Sequence, residues 1–185
     1  MQKNELPAVQ TRMALLRGLP LTWLGYAADM LTLGFGAQGE FRLHIQCSYR
    51  LASQEAILFD RIDYLTPSEA LKARWRAEGL EEDDFPREWA EDDCRLFERV
   101  QALQSCLPEM VVEDVCVSLL GDLTLRFTNG LTLLALPMAS DEQECWRFWN
   151  DALWLDEHMV VCGDHVELDG PGDRCCGICE GTVDN

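Results

Sequence analysis

The sequence predicts an α+β fold, mostly antiparallel sheet, built as two related meander halves with a central pair of helices. One motif occurs twice: residues 29–36 read Asp-Met-Leu-Thr-Leu-Gly-Phe-Gly, and residues 121–128 read Gly-Asp-Leu-Thr-Leu-Arg-Phe-Thr. An aromatic–Arg–apolar triplet follows each copy, at 49–51 and at 146–148. Between the copies the apolar spacing changes from the period of two typical of strands to helical spacing. These observations predict a pseudo-repeat of two β halves separated by a helical insertion.

The length of 185 residues allows one substantial hydrophobic core. We therefore expect a single α+β domain over residues 1–168. It divides into a first β half at 19–65, a helical insertion at 66–107 and a second β half at 110–168. The apolar pattern stops after that, which predicts a flexible Cys-rich tail at 169–185.

The first half should contain a short helix followed by strands. Phe41 to Arg50 alternates apolar and polar residues, which indicates one continuous strand with one buried face. A tight turn is expected at Ala28–Asp29. The predicted helix covers 8–16, and the strands cover 21–27, 30–35, 41–50 and 56–63.

The insertion begins with a capping-box pattern. Thr66 is the expected N-cap, Pro67 the first helical residue and Glu69 the third, with Gly79 as the left-handed stop. A second helix is predicted from Pro86 to Cys106. Its apolar stripe at helical spacing consists of Trp89, Leu96, Val100, Leu103 and Leu107.

The second half returns to strands. Asn129–Gly130 is a strong hairpin signal, and we expect positive φ at both residues. The predicted strands cover 111–119, 123–127, 131–136, 144–149 and 159–168.

The formal net charge of −18 limits the choice of partners. Nucleic acid and anionic membranes need clustered Lys and Arg, so neither is expected as a partner. The same charge favours a basic protein partner and would speed encounter with it. No signal-peptide core or membrane-spanning run is present, which predicts a cytoplasmic protein whose nine cysteines are mostly reduced.

The chain resembles an uncharacterised family of small bacterial cytoplasmic proteins. The resemblance rests on Leu-His-Ile-Gln-Cys-Ser-Tyr-Arg-Leu at 43–51, on Ile-Asp-Tyr-Leu-Thr-Pro at 62–67, on residues 121–130 and on Glu-Cys-Trp-Arg-Phe at 144–148. It covers roughly residues 12–168. Family members look like immunity proteins that neutralise bacterial toxins, and the resemblance implies such a role here.

The motifs of common enzymes are missing. The sequence has neither a Gly-x-Ser-x-Gly elbow nor a phosphate-binding glycine loop. Cys175, Cys176 and Cys179 include a Cys-x-x-Cys pair, but a complete zinc site needs a second pair that the sequence does not identify. We therefore expect no metal and no cofactor, with these cysteines as weak metal candidates.

Two surfaces are candidates for binding. An acidic surface at the helical insertion could plug a basic cleft by charge complementarity. Its alternative reading is a solvated loop and helix start. The carboxylates are Glu78, Glu81, Glu82, Asp83, Asp84, Glu88, Glu91, Asp92 and Asp93. The other candidate is a cleft between the two halves lined by Arg42, His44, Arg50, Trp146 and Arg147, unless these residues form ordinary ion pairs and core.

The leading hypothesis is a non-enzymatic protein-binding protein, with toxin immunity by steric and electrostatic occlusion as its most concrete form. The alternative is a small-ligand-binding protein or an enzyme that uses the Arg- and His-lined cleft. A third hypothesis is an obligate homo-oligomer with a structural role.

Overall fold

The computed structural model describes residues 2–150 and 158–168, which form three α-helices and eleven strands in two antiparallel sheets. The predicted α+β class with mostly antiparallel sheet is confirmed. The Cys-rich tail at 169–185 lies outside the described residues. The helices are α1 (Leu6–Met13), α2 (Glu69–Ala77) and α3 (Arg95–Leu103). The strands are β1 (Leu21–Ala27), β2 (Met30–Phe35), β3 (Phe41–Ile45), β4 (Ser48–Ala52), β5 (Ile57–Asp60), β6 (Val112–Val117), β7 (Leu123–Phe127), β8 (Thr132–Leu136), β9 (Glu144–Asn150), β10 (His158–Cys162) and β11 (Val166–Leu168).

Both sheets combine strands from the two halves of the chain. The six-stranded sheet has the order β1-β2-β3-β9-β10-β11, and the five-stranded sheet has the order β5-β4-β8-β7-β6. The first half therefore gives a three-strand meander to one sheet and a strand pair to the other. The second half gives its meander, β6-β7-β8, to the five-stranded sheet and its remaining strands to the six-stranded sheet.

The pairing registers of the two halves correspond. The two motif copies form β2 and β7, each in the middle of its meander. Ile45 of β3 pairs with Trp146 of β9, and at the equivalent place Ala135 of β8 pairs with Tyr49 of β4. Whether the two halves arose as a repeat stays a prediction.

The two sheets face each other across one hydrophobic core. Phe35, Trp146 and Phe148 from the six-stranded sheet and Phe59 and Phe127 from the five-stranded sheet are all buried there. Burial of each large side chain contributes about 1.5–3 kcal/mol. One cavity in the gap between the sheets is too small to hold a water molecule. It is lined by Leu21, Leu24, Leu33, Leu51, Phe59, Met110, Phe127 and Leu133.

Two predicted strands are each divided in the structure. The segment predicted as one strand at 41–50 forms β3 and β4, which belong to different sheets. The chain bends between them, where the N–H groups of Gln46 and Cys47 both donate to the carbonyl of Cys145, at 2.9 and 3.0 Å. Apolar residues alternate through the bend because both sheets bury the same face toward the core. The predicted strand at 159–168 is a hairpin, β10 and β11.

The helical insertion is less helical than predicted. The N-cap of α2 is Ser68, whose Oγ accepts a hydrogen bond from the N–H of Leu71 at 3.0 Å, so the prediction of Thr66 as the cap is wrong. The predicted stop at Gly79 is confirmed, with φ at +88°. The helix predicted from Pro86 begins only at Arg95. A bridge that pairs Pro67 with Cys94 keeps the preceding chain extended.

The turns also differ from the prediction in one respect. Of Asn129 and Gly130, only Gly130 has positive φ, at +82°. The two-residue turn with positive φ at both positions is instead Ala28–Asp29, at +48° and +68°. The segment predicted as a strand to Asp63 leaves β-structure after Asp60 and forms a 3-10 turn.

None of the helices in the part of the chain that the structure describes has the length and apolar character that crossing a membrane requires.

Candidate functional site

The whole predicted acidic surface lies in one folded segment, residues 78–93, which connects α2 to α3. We call it the acidic segment. It contains two 3-10 turns, Glu82–Asp84 and Glu91–Asp93, and otherwise has no regular secondary structure. Apart from Arg87, every charged residue of the segment is acidic.

An aromatic cluster holds this segment against the helices. Trp75 of α2 is buried, and its ring centroid lies 5.0 Å from that of Phe85 and 6.5 Å from that of Trp89. The guanidinium of Arg76 lies 5.8 Å from the centre of the Phe85 ring. Each such aromatic pair contributes about 0.5–1.5 kcal/mol beyond its buried area. The carboxylates are therefore carried by a packed segment with a defined course.

Only part of the negative charge is neutralised by neighbouring arginines. Arg76 pairs with Glu82, and Arg74 lies 3.6 Å from Asp93. Within residues 2–150 and 158–168, seven exposed carboxylates of the segment form no ion pair. They are Glu78, Glu81, Asp83, Asp84, Glu88, Glu91 and Asp92.

A groove of about 510 Å³ runs between β1 and α3 beside the acidic segment. β1 is an edge strand of its sheet, and the Nε2 of Gln104 donates to the carbonyl of Leu24 on that edge at 3.0 Å. Trp23 forms part of the wall and is 54% exposed. The full lining is Trp23, Leu24, Gly25, Tyr26, Glu91, Asp92, Phe97, Val100, Gln101 and Gln104.

A second groove, of about 440 Å³, shares Glu91 with the first. Its walls include the exposed side chain of Leu65 and the half-buried rings of Tyr64 and Trp89. Arg87, Glu88, Glu91 and Cys94 complete the lining. We call the two grooves together the acidic–aromatic groove.

Two tyrosines hold the residue that the two grooves share. The Tyr26 hydroxyl donates to the backbone carbonyl of Glu91 at 2.7 Å, and the Tyr64 hydroxyl donates to Oε1 of Glu91 at 3.3 Å. Their rings meet edge to face at 5.8 Å. Desolvation raises the pKa of both phenols, helped by the nearby Glu91 carboxylate. Both hydroxyls are therefore protonated at neutral pH and donate to Glu91 at the junction of the grooves.

The five residues of the predicted cleft lie on two different sheets, and Trp146 is part of the core. Trp146 is fully buried, and its Nε1 donates to the carbonyl of Gly121 at 2.8 Å. Arg50 is exposed on the five-stranded sheet, whereas Arg42, His44 and Arg147 belong to the six-stranded sheet. Apolar side chains of the described residues occupy the gap between the sheets around Leu33 and Phe127.

The remaining three residues lie on neighbouring strands of the six-stranded sheet. His44 pairs across the strands with Arg147, whose Nε donates to Oε1 of Glu144 at 2.6 Å. Burial, and after it the Arg147 charge, lowers the pKa of His44. The His44 ring meets Trp149 edge to face at 4.7 Å. His44 is thus a neutral, packed imidazole at neutral pH, held without a nucleophile among these contacts.

Sequence reasoning identified the carboxylates but missed the aromatic walls beside them. Tyr26 and Tyr64 reach Glu91 across 65 and 27 residues of sequence, and no local pattern signals such contacts. The weak metal candidates Cys175, Cys176 and Cys179 lie outside the described residues.

Fold and site together define a mostly antiparallel α+β protein with an acidic, aromatic surface groove. Comparison with family models, with curated proteins and with solved structures gives no match for this chain. The resemblance to bacterial immunity proteins therefore stays an expectation.

Proposed function

We propose that this chain is a non-enzymatic protein-binding protein whose acidic–aromatic groove receives a cationic, partly apolar segment of a basic partner protein. The observation that carries the proposal is the placement of carboxylates without ion-pair partners beside open aromatic walls. Asp92 lines one groove and Glu88 the other, while Glu91 lines both. Trp23, Tyr26 and Trp89 supply ring faces next to these charges.

Charge and shape have different parts in this binding. The net charge of −18 attracts a basic partner over long range and raises its association rate, an effect that salt weakens. At close range an Arg or Lys side chain can lie against the rings of the groove while its charged end reaches a carboxylate. A cation–π contact of this kind contributes about 0.5–2 kcal/mol, depending on how far it is desolvated. The groove therefore favours a segment in which basic and apolar residues alternate.

In its most specific form, the proposal is toxin immunity in a bacterial cytoplasm. A basic toxin would be occluded by the acidic segment, both sterically and by charge. This form rests on the resemblance to small bacterial immunity proteins and on the acidity of the chain. The same acidity is consistent with a chain that avoids nucleic acid and anionic membranes.

The groove is tested with two synthetic peptides, one alternating Arg with Leu and the other alternating Glu with Leu. We expect binding of the Arg peptide only, with an affinity that falls as salt is added. A quadruple charge reversal at exposed, unpaired carboxylates of the acidic segment should reduce that affinity at least about tenfold, since each exposed charge contact is worth about 1 kcal/mol in water. The variant is D83K/D84K/E88K/D92K.

A second quadruple variant changes the net charge by the same amount at exposed carboxylates outside the acidic segment. It is E55K/E109K/E113K/E142K. If binding depends on the groove, this control should lose much less affinity than the first variant. Equal losses in the two variants would show that only net charge matters, and the proposed site would be rejected.

The immunity form has its own test. Co-expression with a toxin domain encoded beside the gene for this chain should restore growth, and the acidic-segment variant should lose the protection while the control variant keeps it. If the unaltered chain gave no protection, the immunity form of the proposal would be rejected. The peptide experiment would still decide whether the groove binds a basic segment.

A further inference from the structure

The edge of β1 is partly open toward the groove between β1 and α3. β1 is the outermost strand of its sheet, and it pairs with β2 on one side only. In an antiparallel pair, the N–H and C=O groups of alternate residues point away from the partner strand. An edge strand that presents such groups is a template for another extended chain. The edge of β1 therefore offers hydrogen-bonding positions that no strand of the described residues occupies.

The pairing register shows which backbone groups of β1 point outward. Ala27 is the last residue of β1 before the two-residue turn, and such a turn closes on a hydrogen-bonded pair. Because hydrogen-bonded pairs alternate along the strands, Gly25 also bonds to β2, whereas Tyr26 and Leu24 turn their N–H and C=O groups outward. The contact with Gln104, the residue after α3, agrees with this assignment, since its side chain donates to the outward carbonyl of Leu24 at 3.0 Å.

Three of the outward-facing groups are open. Gln104 covers the carbonyl of Leu24. Within residues 2–150 and 158–168, the N–H of Leu24 and the N–H and C=O of Tyr26 have no hydrogen-bond partner outside β2. The position of Tyr26 is fixed all the same, because its hydroxyl donates to the carbonyl of Glu91 at 2.7 Å. The open groups are thus held in place along the groove.

The two sides of the groove differ in chemistry. On the inner side, toward which Tyr26 points, Phe97 and Val100 of α3 form an apolar wall. On the outer side, the exposed ring of Trp23 lies over Gly25, with ring atoms 3.1–3.2 Å from the position that a Cβ would take there. Alternate side chains of an extended chain point to opposite faces. A strand added to β1 therefore places every second side chain against the apolar wall and the others beside the indole, where Arg binds favourably.

The open backbone groups favour an extended occupant over a helical one. The N–H groups in the interior of a helix already bond to carbonyls of the same helix, so they cannot pair with an outside strand. An extended segment has its backbone groups free for such pairing. The alternation of basic and apolar residues that the groove favours also has the period of a strand with two different faces.

We propose, resting on the function proposed above, that the basic partner segment adds to the edge of β1 as an antiparallel strand between β1 and α3. Its backbone bonds to the N–H and C=O of Tyr26 and to the N–H of Leu24. Its apolar side chains lie on the inner side, because directly opposite residues of an antiparallel pair point to the same face. Its basic side chains lie on the outer side beside Trp23. Glu91 and Asp92 line the same groove and select a basic segment over an acidic one.

The test uses the alternating Arg–Leu peptide in two backbone-methylated forms. In an antiparallel strand with Leu on the inner side, the Leu amides face β1 and the Arg amides face away from it. Methylation of the Leu amides should weaken binding at least about tenfold, because it removes hydrogen-bond donors and places methyl groups against the edge. Methylation of the Arg amides should weaken binding less than about threefold. The two peptides have the same charge, composition and number of methyl groups, so each is the control for the other.

Hydrogen exchange of the protein reports on the same pairing. Saturating unmethylated peptide should raise the protection factor of the Tyr26 amide, relative to that of the neighbouring Gly25 amide, at least about tenfold. Gly25 is the matched reference because its amide already bonds to β2.

Strand addition is overturned if the two methylated peptides bind equally well, if the Arg-methylated form loses more affinity, or if the relative protection of Tyr26 stays the same. Any of these results, with the unmethylated peptide still bound, rejects strand addition and leaves the proposed function intact. If the unmethylated peptide does not bind at all, the proposed function and strand addition are both rejected.

Discussion

Replacement of Trp75 by Ala should loosen the acidic segment while the two-sheet core stays folded. Trp75 is only 6% exposed and contacts both Phe85 and Trp89, yet it lies outside the main core cluster. Trp-to-Ala changes at buried sites destabilise by about 3–5 kcal/mol. Because the lost contacts are local, we expect the free energy of opening the acidic segment to fall by about 3 kcal/mol. The equilibrium constant for local opening of the segment then increases roughly 100-fold.

Native-state hydrogen exchange measures this directly. The amide of Asp84 donates to the carbonyl of Glu81 at 3.0 Å, and the amide of Asp93 donates to that of Ala90 at 2.9 Å, so both report on the acidic segment. In W75A the protection factors of these two amides should fall about 100-fold, or to one if they are below 100 in the unaltered chain. Amides of β2 and β7 should change by only a few-fold. The same variant should bind the Arg–Leu peptide more weakly, because its carboxylates are no longer held beside the aromatic walls.

W23A is the matched control. Trp23 is about half exposed and lines the groove without contributing to the buried cluster around Trp75. It should weaken peptide binding and leave the protection of Asp84 and Asp93 unchanged. If W75A left that protection at the level of the unaltered chain, the aromatic cluster would not hold the segment, and the reasoning would be wrong.

Two further changes test the local physics of the fold. A28N should raise the free energy of unfolding, measured in urea, by about 0.5–1 kcal/mol, because Ala28 has φ at +48° and Asn tolerates the left-handed region better. A102N, at an exposed position of α3, should instead lower that free energy by about a few tenths of a kcal/mol. Equal effects of the two substitutions would contradict the argument. His44 has its pKa lowered below 6.5 by burial, so the unfolded chain takes up its proton first as the pH falls. Stability contributed by neutral His44 is therefore lost as the pH falls from above 6.5 through the lowered pKa of the folded chain. H44Q should show a smaller loss over that interval; a loss as large as that of the unaltered chain would assign the pH dependence to other groups.

The sequence pattern was sufficient for the strands but not for their distribution between sheets. Leu31, Leu33 and Phe35 alternate with polar or small residues and are all buried, as expected for a strand with one wet face. The same alternation runs through Gln46 and Cys47, where the chain changes sheets. A period of two reports which side of the chain is buried, and it is insensitive to a bend that keeps that side facing the core.

The insertion was misjudged because helical spacing competes with tertiary contacts. The predicted cap at Thr66 satisfied the local pattern, but the carbonyl of Asp93 accepts a hydrogen bond from the N–H of Ser68 at 2.8 Å, and that of Thr66 accepts one from Arg95 at 2.7 Å. These contacts hold the backbone extended at 66–68 and at 93–95, so α2 and α3 each begin only after the bridged residues. Spacing alone cannot indicate a pairing between residues that are so far apart in sequence.

Of the candidate site, the charge was predictable and the concavity was not. Runs of Glu and Asp are visible in any sequence, whereas Tyr26 and Phe97 become neighbours only when β1 packs beside α3.

The exchange of strands between the two sheets has a consequence for how this chain can be divided. A fragment that ends before the acidic segment carries β1-β2-β3 without β9 and β4 without β8, so each of its partial sheets presents an unpaired inner strand. The complementary fragment has the reciprocal gaps. Neither piece can bury its apolar surface alone, but the two together restore every pairing. Cleavage in the segment between α2 and α3 should therefore leave a non-covalent complex, and two separately made fragments should recover the native fold only when mixed.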